Sequence, residues 1–113
     1  MPTYMLQGRY SRDALKGMMV SPEDRTEAVS KLLQGAGGRL ISYYVTFGEY
    51  DYLLLVEAPD EITMSACIIA AAAGGGVTDF ETTVVMSGRD AMQAFSKAQD
   101  LAKTFRSAGQ PRS

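Results

Sequence analysis

The chain opens with a strict alternation. Tyr4, Leu6, Gly8 and Tyr10 share one parity, and Thr3, Met5, Gln7 and Arg9 share the other. This period of two predicts a strand over residues 2–10. Ser11 to Met19 follows as a short helical turn with Leu15, Met18 and Met19 on its apolar side, expected to be interrupted by Gly17 and then Pro22. Ser21-Pro22-Glu23-Asp24 reads as the start of a fuller helix. The serine caps, the proline takes the first position, where its missing N–H is not needed, and the aspartate reaches back. Ala28, Val29, Leu32 and Leu33 recur at helical spacing, with Glu27 and Lys31 paired on the wet side, until Gly35, Gly37 and Gly38 end the helix.

Arg39 to Phe47 is rich in β-branched and aromatic residues and predicts a second strand. Gly48-Glu49 turns the chain into a third, Tyr50 to Ala58, which Pro59 stops. The centre of this strand, Leu53-Leu54-Leu55-Val56, is apolar on both parities, so both faces need cover. Asp60 to Ala73 reads as a helix with Ile62, Ala66, Ile69, Ala70 and Ala73 on one face, whose alanines permit close approach to a sheet. Gly74-Gly75-Gly76 ends it, and Val77 to Met86 alternates as a fourth strand. Ser87, with Asp90 three residues on, caps a last helix with the stripe Ala91, Phe95, Ala98, Leu101, Ala102 and Phe105. Gly109 to Ser113 is expected to be disordered.

The order strand, helix, strand, strand, helix, strand is that of an α+β, ferredoxin-like βαββαβ fold. Its antiparallel sheet has the order 4-1-3-2, both helices on one face, and here an additional C-terminal helix. The other face of the sheet is expected to be covered by a second copy of the chain, with the last helix as the competing cover.

Composition narrows the chemistry. The 113 residues suffice for one domain, and 46% hydrophobic content supplies one core. A net charge of -2 with scattered cations argues against nucleic acid as a partner. The one loose basic cluster, Lys103, Arg106 and Arg112, reads as a helix C-terminus whose dipole favours cations. Cys67 is the only cysteine, which excludes an intramolecular disulfide and suits a reducing compartment. No leader-like segment precedes the first strand, and the longest apolar run, Cys67 to Ala73, is too short to span a bilayer. A cytoplasmic protein without membrane contact is therefore expected. With no histidine, there is no imidazole base and no histidine-containing metal or haem site. No acidic loop of calcium-binding spacing appears, so neither a metal nor a cofactor is expected.

Several motifs resemble those of one family. Gly48-Glu49-Tyr50-Asp51 followed by Glu57-Ala58-Pro59-Asp60 is similar to the Gly-Tyr-Asp motif of the GYD family. Met1-Pro2-Thr3-Tyr4, Ser21-Pro22 with Arg25, Gly37-Gly38 before a tyrosine-rich strand, and Glu81-Thr82-Thr83 add to the likeness. It covers residues 1–95 and leaves 96–113 as a C-terminal helical extension and tail. The resemblance implies a relative of dimeric α+β barrel proteins, in which two sheets face each other. It implies no particular activity.

Site candidates follow from parity. Asp51 and Glu57 share a strand face with Leu53 and Leu55, and Arg9 lies on the corresponding face of the neighbouring strand, so Arg9 is expected to approach Glu57 or Asp51. An unpaired carboxylate there would suit general-base work, whereas a paired one would fix subunit register. Tyr43, Tyr44, Tyr50 and Tyr52 form an aromatic belt that suits either a ligand pocket or plain packing. The ligand-binding candidates are thus Arg9, Tyr43, Tyr50, Asp51 and Glu57, and the catalytic candidates are Asp51, Glu57 and Tyr50. Pro2 becomes a secondary-amine base only if Met1 is removed, and Cys67, flanked by no cation, reads as a buried, inert thiol. The favoured reading is a homo-oligomer, a dimer or higher, that binds a small molecule or serves assembly at an inter-subunit cavity. The alternative is a small cofactor-free isomerase or monooxygenase.

Overall fold

A computed structural model describes residues 1–111. Arg112, and with it the end of the tail expected to be disordered, lies outside the described residues. The elements are β1 (Thr3–Tyr10), α1 (Arg12–Val20), α2 (Thr26–Gly35), β2 (Arg39–Val45), β3 (Tyr52–Glu57), α3 (Glu61–Ala73), β4 (Val77–Val85) and α4 (Gly88–Ala102). The four strands form one antiparallel sheet in the order β2-β3-β1-β4. This is the expected ferredoxin-like order, with β1 and β3 at the centre.

Register assigns the two faces. Tyr4 lies opposite Val56, Leu6 opposite Leu54, and Gly8 opposite Tyr52. These residues point to the helices, where they meet Leu33 of α2 and Met64 and Cys67 of α3 in the buried core. Burying these side chains stabilises the fold by about 1.5–3 kcal/mol for each large one. Met5 lies opposite Leu55 and Gln7 opposite Leu53 on the other face, where all four remain half-exposed. Both edge strands carry one extra residue relative to their partners, near Ile41 in β2 and near Asp79 in β4. Asp79 takes a positive φ of 49° there.

Three local expectations are corrected. Gly17 does not break α1, because it sits on an exposed side where a glycine costs helix propensity and nothing more. Ser21 does not start α2 but ends α1, its N–H bonded to the Gly17 carbonyl. Asp24 makes a turn instead, its Oδ1 accepting from Thr26 N at 2.9 Å, and α2 begins at Thr26 after Arg25, without a side-chain cap. Helix α3 is rotated from the expected face. It buries Met64 and Cys67 and leaves Ile62, Ala66, Ile69, Ala70 and Ala73 exposed.

The cap expected for the last helix is present, with Ser87 Oγ accepting from Asp90 N at 3.1 Å. Beyond Ala91, every residue of α4 is exposed, including Met92, Phe95 and Leu101. The chain accordingly extends 66 Å along its longest axis against 30 and 22 Å on the others. Helix α4 therefore does not cover the open face of the sheet, and among the described residues no element packs over Met5, Leu53 and Leu55, which stay half-exposed.

Candidate functional site

The helix-facing side of the sheet brings three tyrosines together. Strand β1 supplies Tyr10, β2 supplies Tyr43 and β3 supplies Tyr52. The Tyr10 and Tyr43 hydroxyls are hydrogen-bonded to each other. The Tyr10 and Tyr52 rings lie 5.4 Å apart, tilted by 43°, a separation at which aromatic quadrupoles attract. Gly8 makes this possible. A Cβ there would collide with the Tyr52 phenol, so glycine is required by the close approach of a side chain.

Helices α1, α2 and α3 do not close over this cluster. They leave a cavity of about 720 Å³, within the range of ligand pockets. Its walls are apolar: Leu6 and Leu54 from the sheet, Met18 from α1, Val29 from α2, and Met64 and Ile68 from α3. Its polar lining comprises the three tyrosines, Ser21, Glu81 and Thr82, with Glu23 and Arg25 on the segment before α2, paired with each other at 3.2 Å.

Burial keeps Tyr10 and Tyr52 protonated. Burial raises the Tyr10 hydroxyl well above its ordinary value, the Tyr43 hydrogen bond raises it further, and the positive charge of Arg25 offsets part of the rise. Burial also raises Tyr52 and the Cys67 thiol. These hydroxyls are thus hydrogen-bond donors at neutral pH and poor general bases. The buried thiol is correspondingly unreactive.

The residues singled out from sequence are dispersed. Tyr43 lies in the cavity, whereas Arg9, Tyr50, Asp51 and Glu57 do not line it. Arg9 meets neither carboxylate. Its Nε donates to the Glu49 carbonyl at 2.9 Å. Asp51 Oδ2 accepts from Tyr10 N at 3.0 Å, and Glu57 pairs with Arg39, whose Nε is 2.8 Å from its Oε1. Register explains this: Arg39 is directly opposite Glu57, whereas on β1 the residue opposite Glu57 is Thr3, and Arg9 lies at the far end of that strand. The Tyr50 hydroxyl donates to Glu81 on β4, a bond that raises the Tyr50 pKa. The turn between β2 and β3 is therefore laced across the end of β1 to the far edge strand. Among the described residues, no group of acidic or cysteine side chains is clustered closely enough to hold a metal ion.

Tyr10 and Arg25 are the site residues that sequence reasoning missed. Tyr10 was legible as the helix-facing partner of Tyr52 by parity. Arg25 was not, because its position depends on where α2 begins.

Comparison with known proteins places this geometry in context. The crystal structure of TTHA0845 from Thermus thermophilus superposes with a TM-score of 0.50 at 18% identity, covering 78% of this chain and 96% of that one. An AsnC family transcriptional regulator from Agrobacterium tumefaciens gives 0.52 at 19% identity, covering 97% of this chain and 56% of the regulator. A transcriptional regulator from Neisseria meningitidis, solved with L-Met, gives 0.51 at 16%, with the same two coverages. At these identities the likeness is one of fold. In sequence, the chain is 29% identical over 77 residues to a Thermus thermophilus protein named "Glutamine synthetase and cystathionine beta-lyase binding protein", covering 68% of this chain and 81% of that protein. The GYD domain model matches residues 4–95, from the first strand into the last helix, and the chain belongs to the GYD domain family.

Proposed function

We propose that the protein is a homo-oligomeric binding module that holds a small ligand with an apolar body and one hydrogen-bond-accepting head, such as a carboxylate or sulfonate. The observation that carries this reading is the helix-side cavity of about 720 Å³, whose donors, the Tyr10, Tyr43 and Tyr52 hydroxyls and Arg25, sit among apolar walls. Binding is favoured over catalysis because the candidate carboxylates are engaged: Asp51 by a backbone N–H, Glu57 by Arg39 and Glu23 by Arg25. An isomerase or monooxygenase would need one of them free. The oligomer rests on the open face of the sheet, where Met5, Leu53 and Leu55 of two copies would meet as in a dimeric α+β barrel. Residues 96–113 are then an extension outside this unit.

Fluorescence titration with anilinonaphthalene sulfonate, which combines an apolar body with an anionic head, tests the cavity. Saturable one-to-one binding is expected, weakened about tenfold in Ala71→Trp, which fills the cavity, and also in Arg25→Gln. Binding that is unaffected by either change would sink the assignment.

A protein partner is the second reading. The Thermus relative's name favours it, together with the exposed apolar stripe of α4.

A further inference from the structure

Two helices of this chain each present an apolar stripe that nothing covers among the described residues. On α4 the stripe includes Phe95, 76% exposed, and Phe105 just past its end, 73% exposed, spaced by Ala98 and Ala102. On α3 it is Ile62, 83% exposed, and Ile69, 65% exposed, spaced by Ala66 and Ala73. Both stripes keep to one helical face, with apolar residues at i, i+4, i+7 and i+11 on α3 from Ile62 and at i, i+3, i+7 and i+10 on α4 from Phe95. The helices are also matched in length, 13 and 15 residues.

Run antiparallel, the two stripes fit in a single register. Phe95 comes opposite Ala73, Ala98 opposite Ile69, Ala102 opposite Ala66 and Phe105 opposite Ile62. In two of the four layers a large residue faces a small one, the arrangement that lets facing helices interdigitate. The Phe105 N–H still reaches the Leu101 carbonyl, so the same register continued past Ala102 sets Arg106 beside Glu61 once its guanidinium leaves the Gln110 carbonyl, and opposed helix dipoles add to the attraction.

Charge points the same way. Residues 1–87 carry six Lys and Arg against eleven Asp and Glu, a formal charge of −5, and residues 88–111 carry four against two, or +2. A basic arm thus projects from an acidic body. We infer that α4 is an exchanged arm, lying antiparallel along α3 of a second copy while that copy's α4 lies along the first. The arm stands clear of its own α3, so the complementary surface is met on another molecule. Reciprocal pairing covers on the order of 1,500 Å² in all, the size of a stable interface.

This contact lies on the helix side and does not depend on the ligand cavity or on the seam between open sheet faces. If both contacts form, two distinct two-fold interfaces close a tetramer.

Disulfide trapping on the full chain, in a Cys67→Ala background, tests the inference. Differently tagged Ile62→Cys and Phe105→Cys chains, mixed and mildly oxidised, are expected to give a covalent heterodimer well above the self-linked level of either alone. A double Ile62→Cys/Phe105→Cys chain that closes on itself as a monomer would overturn the exchange, placing α4 on its own α3. Failure to cross-link in any combination overturns it too, whether α4 then binds anionic phospholipid vesicles, another protein or nothing. As a second arm, Glu61→Arg and Arg106→Glu are each expected to raise the assembly's dissociation constant about fivefold, and both together in one chain to restore it. Loss without restoration removes the register. Leu55→Arg separates the sheet seam and is expected to leave the cross-link intact, which distinguishes the two interfaces.

Discussion

The two faces of the sheet are nearly alike in composition along β3 and opposite in fate. Tyr52, Leu54 and Val56 are buried beneath helices, while Leu53 and Leu55, one residue out of phase, are left half-exposed. The difference lies in the paths of the helices that connect and extend the strands. Helices α2 and α3 return over one face, whereas α4, the last element able to cover the other, leaves the body. Apolarity in a strand therefore measures the demand for cover and not its source. On one side the chain meets that demand itself, and on the other it does not.

The sharpest way to break this comparison is to truncate both faces equally. Leu54→Ala is expected to cost about 3 kcal/mol, the loss of a packed core side chain plus the cavity left behind. Leu55→Ala, at concentrations where the chain is monomeric, is expected to cost well under 1 kcal/mol. Chemical denaturation of both variants measures the difference, and equal losses would mean that the open face is covered.

A smaller effect sharpens the helix side. Tyr43→Phe removes the partner of the Tyr10 hydroxyl and is expected to cost about 1 kcal/mol. It also removes influences that raise both Tyr10 and Tyr52, so alkaline ultraviolet titration is expected to show these two tyrosines ionising at lower pH than in the parent. Because folding raises the Tyr10 and Tyr52 values above 10.0, their contribution is complete below that pH and is lost as pH rises through the folded values. An unchanged titration would remove the hydroxyl pair from the account.

The smallest effect concerns the entry to α3. Asp60 Oδ1 accepts from Thr63 N at 2.8 Å, and the backbone bond holds its carboxyl below 3.8. Its stabilisation is present above that pH and fades as pH falls through the lowered folded value. Asp60→Ala is expected to flatten the acid limb of the stability profile slightly, without moving the alkaline limb.

Much of the fold was legible because strand parity and glycine stops are local. The last helix's cap was read directly from Ser87 and Asp90, since a capping box needs only neighbours. The start of α2 was misread because Ser21-Pro22 satisfies the local rules for a helix start but was already engaged in ending α1. The rotation of α3 was invisible for a different reason. Glu61 to Ala73 is apolar nearly all round, so no period selects the buried face, and tertiary contact decides it. The cavity, too, was out of reach, because it depends on the gaps among three helices. Sequence supplied its tyrosines but not the space above them.

The irregular residues in the outer strands carry a last consequence. Near Ile41 and near Asp79 the ladders of β2 and β4 are interrupted, so neither border offers a straight row of free backbone groups. Continuous strand-to-strand growth, the route to fibres, is obstructed at both margins. Association is left to side chains, which can be satisfied in closed sets.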